Sequence, residues 1–113
     1  MSHPPIRRMD IGETRYDVRF PANEAEEEML GDDFGRTFPR RQLILLARDQ
    51  GPDQLRDTLI HEVFHAIIAD TALGRVPVET EDGEEILVRE ITPGWFGVLR
   101  RNPKFVAYIC GRD

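Results

Sequence analysis

The spacing of apolar residues changes character about halfway along the chain. In the first half the runs are short. Ile6 to Ile11 and Thr14 to Phe20 read as strands, the second with Tyr16, Val18 and Phe20 on one face, joined by the turn-like Gly12-Glu13 and closed by Pro21. Phe34 to Phe38 is a further short strand ending at Pro39, and Gln42 to Leu46, continued by Ala47, is the strongest strand, expected at the edge of the sheet. The period then becomes helical. Leu55, Leu59, Ile60, Val63, Phe64 and Ile67 cover one wide arc of a helix that starts with Gly51-Pro52 or with Asp53 as cap and runs to about Ala72.

After a loop from Arg75 to Asp82, Glu84 to Ile91 predicts a second helix, which Pro93-Gly94 interrupts or kinks. Trp95 to Arg101 gives another helical piece with Trp95, Val98 and Leu99 inward. Asn102-Pro103 then opens a last helix or turn carrying Phe105, Val106, Tyr108 and Ile109. The pattern is that of an α+β fold, with a small, mostly antiparallel sheet packed on a long helix and C-terminal helices. Residues 1–5 are expected as a flexible tail and 6–113 as a single domain.

Charge narrows the class. Of 113 residues 32% are charged and the formal net charge is −6, which argues against nonspecific nucleic-acid binding as the main role. The acidic run Glu24, Glu26, Glu27 and Glu28 reads as a solvated short helix or loop. Cys110 is the sole cysteine, so no intrachain disulfide forms. Met1 to Met9 has no apolar leader core, and a run such as Leu43 to Ala47 is far too short to span a membrane, so the expected compartment is the cytoplasm.

Against this plain background one pentapeptide carries chemistry: His61-Glu62-Val63-Phe64-His65, an H-E-x-x-H within the long helix. Positions i and i+4 share a helix face, so the two imidazoles can grip one Zn²⁺ while Glu62 activates a water held there. The competing reading is a chance match on an ordinary helix, made improbable by a total of three histidines.

A catalytic zinc needs a third protein ligand. The metzincin continuation is excluded, because Ile68 and Thr71 stand where Gly and His are required. His3 lies in the expected tail and is a poor ligand, and Asp70 and Asp82 are weak candidates. Glu84 and Glu85 are the strongest. Residues three, four and seven beyond Glu84 are Leu87, Val88 and Ile91, all apolar, whereas those beyond Glu85 are Val88, Arg89 and Thr92. Helical phase therefore prefers Glu84, although a small rotation near the helix start reverses the choice.

The run Thr58 to Ile67 resembles the active helix of small bacteriophage and prophage zincin-like metallopeptidases. These are distant relatives of the ImmA/IrrE peptidases within the gluzincin-type group. Gln42 to Leu46 resembles the strand before that helix, Glu84 to Val88 the glutamate-bearing segment, and Val98 to Pro103 the C-terminal run; the resemblance covers most of the chain from Tyr16 on. It implies zinc, a minimal zincin fold and a peptidase activity acting on a narrow protein or peptide substrate, with phage or prophage origin.

On that reading Glu62 is the general base, and an oxyanion donor is sought among Tyr108, Tyr16 and Arg89. Asp57 or Asp70 is a guess for supporting an imidazole, and Gln42 to Leu46 is offered as an edge for strand addition by an extended peptide. Trp95 is expected in the core, and Cys110 is not expected as a nucleophile. The rival is a non-catalytic zinc-binding adaptor or assembly domain, which needs the histidines but not Glu62. No helix-turn-helix signal supports a DNA-binding regulator.

Overall fold

A computed structural model describes residues 2–70 and 81–112; the side chains of Glu81, Asp82 and Glu84 lie outside that description. Four strands, Arg8–Ile11 (β1), Thr14–Arg19 (β2), Gly35–Phe38 (β3) and Leu43–Leu46 (β4), form one sheet in the order β1-β2-β4-β3. β1 and β2 are an antiparallel hairpin, β2 and β4 run parallel, and β3 returns antiparallel to β4. Four α-helices, Glu24–Leu30 (α1), Pro52–Ala69 (α2), Glu81–Arg101 (α3) and Pro103–Ile109 (α4), and a 3-10 turn at Pro39–Arg41 between β3 and β4 complete the described fold. The α+β expectation holds, with a mixed sheet of four strands.

The two faces of β4 explain the sheet. Its residues alternate in direction, so Ile44 and Leu46 join the main core with Leu59, Val63 and Ile67 of α2, whereas Leu43 and Leu45 meet Leu30 of α1 on the other face. All four are at most 3% exposed. This corrects the expected edge position of Gln42 to Leu46. An unbroken apolar run is the mark of a strand covered on both faces, and the edge belongs to the more polar β3.

α2 begins as anticipated, with Gly51 as N-cap and Pro52 at the first position, where a missing N–H costs nothing. It ends at Ala69, short of the expected Ala72. Residues 71–80, which contain most of the expected loop, lie outside the described residues, and Glu81 and Asp82 already belong to α3.

Of the two outcomes expected at Pro93-Gly94, interruption does not occur, for α3 is continuous with Pro93 inside it. Pro93 is exposed, and Ile91, Trp95 and Val98 pack on the opposite side against the main core. Packing across the proline outweighs its helix-breaking tendency. Gly94 lies at the closest approach: a Cβ there would stand 2.7 Å from Ile67 Cγ2. Trp95 stacks on Phe64 with ring centroids 4.8 Å apart and meets Phe105 edge-on, as expected of a core residue. Of the five residues expected to form a tail, Pro4 is buried.

Candidate metal centre

The apolar arc of α2 decides where its histidines go. Leu55, Leu59, Val63, Ala66 and Ile67 are buried against the sheet and α3, and His61 and His65, on the adjoining arc, are exposed. They open into a cleft of about 1000 Å³ between α2 and the edge strand β3, whose lining includes Gly35, Thr37, Asp57 and Glu62. The two Nε2 atoms approach to 3.1 Å, with the rings nearly perpendicular at 72°.

Two nitrogens each about 2.05 Å from one tetrahedral ion stand about 3.3 Å apart. The observed separation is compatible in distance with a shared Zn²⁺. It also fits a hydrogen bond between one protonated and one bare ring nitrogen. Both imidazoles are exposed and line the cleft.

Glu62 lies differently from its flanking histidines. It is 5% exposed and turned toward β3, where the Thr37 hydroxyl donates to its Oε1 at 2.8 Å and lies 3.1 Å from its main-chain carbonyl. Gly35, two residues earlier on the same face of the strand, permits this closeness. A Cβ at Gly35 would stand 2.6 Å from Thr58 Cγ2 and 3.1 Å from Glu62 Cγ. The strand is anchored from its other end by Gln50, whose amide donates to the carbonyls of Phe34 and Ala47 and accepts from the Thr58 hydroxyl.

β3 also exposes backbone. Ala47 N–H donates to the Phe34 carbonyl, and Arg36 and Phe38 stand opposite Leu45 and Leu43. Antiparallel pairs alternate, so Arg36 and Phe38 bond inward to β4 and Gly35 and Thr37 direct their N–H and C=O groups outward. Among the described residues no strand pairs with that outer edge.

The other expected site residues are scattered. Glu85 is exposed on α3 and does not line the cleft, and the Glu84 side chain lies outside the described residues. Among the described residues, no group of three or more His, Cys, Asp or Glu side chains gathers as a metal site. Asp57 lines the cleft one turn before His61, and among the described residues no hydrogen bond joins it to either imidazole. Asp70 instead caps the end of α2 beside Gly12, whose Cβ, were there one, would overlap the Asp70 carboxylate. His3 lies in a separate depression with Ile6 and Lys104.

The suggested oxyanion donors stand apart from the cleft as well. Tyr16 and Tyr108 are core residues 2% and 4% exposed, and Arg89 is exposed on α3; none lines the cleft. Burial pushes the Tyr16 hydroxyl above its ordinary value, and the nearby Asp70 carboxylate adds to the rise. Cys110 is exposed near the C-terminal end.

Sequence reasoning missed Gly35, Thr37 and Gln50. One signal was available: an isolated glycine inside a strand pattern marks a close backbone approach. The chain matches no protein-family model, no curated protein and no solved structure.

Proposed function

We propose that the chain is a zinc-dependent metallopeptidase, with His61 and His65 as ligands, a glutamate from the start of α3 as the third, and Glu62 as general base. Glu84 remains the preferred third ligand, and Glu85, directed to solvent and away from the cleft lining, is the alternative. The observation that carries the reading is the pair of accessible imidazole nitrogens 3.1 Å apart in a cleft that also holds the Glu62 carboxylate.

When bound, zinc supplies a Lewis acid that polarises the scissile carbonyl and makes water nucleophilic near neutral pH. Glu62 takes the proton from the attacking water and returns it to the leaving amine. The outward N–H and C=O groups of Gly35 and Thr37 offer an extended peptide main-chain pairing beside that carboxylate. Strand addition therefore belongs to β3, in place of Gln42 to Leu46. Such pairing reads the backbone, so specificity falls to side chains at the rim, where Phe34 is 57% exposed.

The test is zinc content by elemental mass spectrometry for wild type, His61→Ala, Glu84→Ala and Glu85→Ala. One zinc per chain, lost in His61→Ala and in one glutamate variant, is expected. Hydrolysis of a fluorogenic peptide library by the zinc-loaded protein then follows, with Glu62→Gln as the inactive control. No zinc in wild type after reconstitution overturns the reading. Stoichiometric zinc with equal inactivity of wild type and Glu62→Gln leaves the adaptor domain.

A further inference from the structure

We propose that Thr37 is a positioning residue for Glu62: its hydroxyl anchors Oε1 and so aims Oε2 at the reacting water, in a space that Gly35 keeps clear. This rests on the reading of Glu62 as general base. Nothing in the H-E-x-x-H pattern specifies such a partner, since Thr37 is 25 residues away and on another element.

A glutamate has three side-chain torsions, and a base that wanders among rotamers spends little time in reach of its proton. Here the two carboxylate oxygens are unequal. Oε1 accepts from the Thr37 hydroxyl at 2.8 Å. Oε2 has no hydrogen-bond partner among the described residues. Among those residues no fully buried side-chain oxygen or nitrogen is left unpaired, so Oε2 keeps contact with solvent in the cleft. One oxygen is held and the other is available to carry a proton.

The donor is itself well held. Thr37 stands opposite Ile44 in the sheet, and its β-branched side chain has few rotamers. Gly35 completes the arrangement, for a Cβ at that position would stand 3.4 Å from Oε2 as well as 3.1 Å from Cγ. The edge strand that offers main-chain groups to a peptide thus also sets the orientation of the base.

Thr37→Val removes the donor with nearly the same shape, and Thr37→Ser keeps it. Two measurements test the proposal. The first is urea unfolding of metal-free wild type, Thr37→Val, Glu62→Ala and the double variant. Thr37→Val is expected to lower the midpoint more in wild type than in Glu62→Ala, where the main-chain carbonyl of residue 62 remains as an acceptor for the Thr37 hydroxyl. The second is steady-state hydrolysis of the best-cleaved library peptide by the zinc-loaded full chain. Thr37→Val is expected to lose about tenfold or more in kcat, with KM and zinc content held, and Thr37→Ser to retain most of kcat.

Equal midpoint shifts in both backgrounds overturn the contact. Coupled shifts with unchanged kcat in Thr37→Val overturn the positioning role. If wild type and Glu62→Gln are equally inactive with zinc bound, it is the peptidase reading that fails and the positioning role falls with it, whereas the metal-free unfolding cycle reports the contact independently of activity.

Discussion

Asn102 treats Asp10, 92 residues away, as a neighbouring strand would: its side-chain carbonyl accepts from the Asp10 N–H and its amide donates to the Asp10 carbonyl, both at 2.9 Å. The same amide donates to the Val98 carbonyl at 2.8 Å. Asp10 lies on β1, the edge opposite the cleft, so one side chain both closes the end of α3 and satisfies an open sheet edge. Asn102→Ala leaves the Asp10 main-chain groups unpaired and is expected to cost about 2–3 kcal/mol in urea unfolding. Zinc content should not change, because the cleft lies at the other edge.

Gly35→Ala is expected to destabilise by about 1–3 kcal/mol through overcrowding. The cause is steric, since a Cβ would stand 2.6 Å from Thr58 Cγ2. Thr58→Ser deletes that methyl and keeps the hydroxyl that donates to Gln50. The melting temperature of Gly35→Ala should therefore recover in part in the double variant. An equal loss with and without Thr58→Ser would place the strain elsewhere.

Gly94→Ala sets two effects against each other. In an exposed helix the change gains up to about 1 kcal/mol of propensity. At this position the added methyl meets Ile67, which is 2% exposed and has no room to withdraw. Overpacking of about 1–3 kcal/mol wins, and the variant should melt below wild type. A higher melting temperature would show that α2 and α3 separate easily.

Zinc should stabilise only chains that keep both imidazoles. At free zinc about 100 times the Kd the gain is about 2.7 kcal/mol, visible as a raised melting temperature reversed by chelator. Wild type and Glu62→Gln are expected to show it, and His61→Ala and His65→Ala are not. A similar gain in the histidine variants would move the metal site away from α2.

Acid stability carries a signature of Glu26. Its carboxyl sits below the ordinary 4.5, chiefly through the Arg19 hydrogen bond, with the Ala22 N–H and the Arg19 and Arg41 charges adding and burial opposing. A depressed folded value means that the stabilisation is complete above about 4.5 and is lost as pH falls through the folded value. Glu26→Gln should accordingly be less stable than wild type at neutral pH, with the difference shrinking in acid. A pH-independent difference would assign the effect to packing.

The strands, α2 and the last helix were legible because each is a local matter. Tyr16, Val18 and Phe20 alternate, Leu55 to Ile67 repeat at helical spacing, and Gly51-Pro52 marks a helix start whatever lies around it. Sheet order was not legible. Leu43 to Leu46 proclaimed burial, yet burial on two faces requires both α1 and α2, and the placement of β3 outside β4 depends on a return that no local pattern encodes. Whether Pro93 would interrupt the helix was not legible for the same reason, since its local cost is set against Trp95 and Val98 packing across it.

The sequence by itself determined that two histidines and a glutamate share one helix, because spacing along a helix is set by backbone geometry alone. Only the tertiary structure decided what faces them. Thr37 and Gly35 reach Glu62 through sheet pairing, and the imidazoles open into a cleft because β3, and not β4, forms the edge. Contacts between distant segments depend on how whole elements pack, and that information is spread over the entire core and absent from any single stretch of chain.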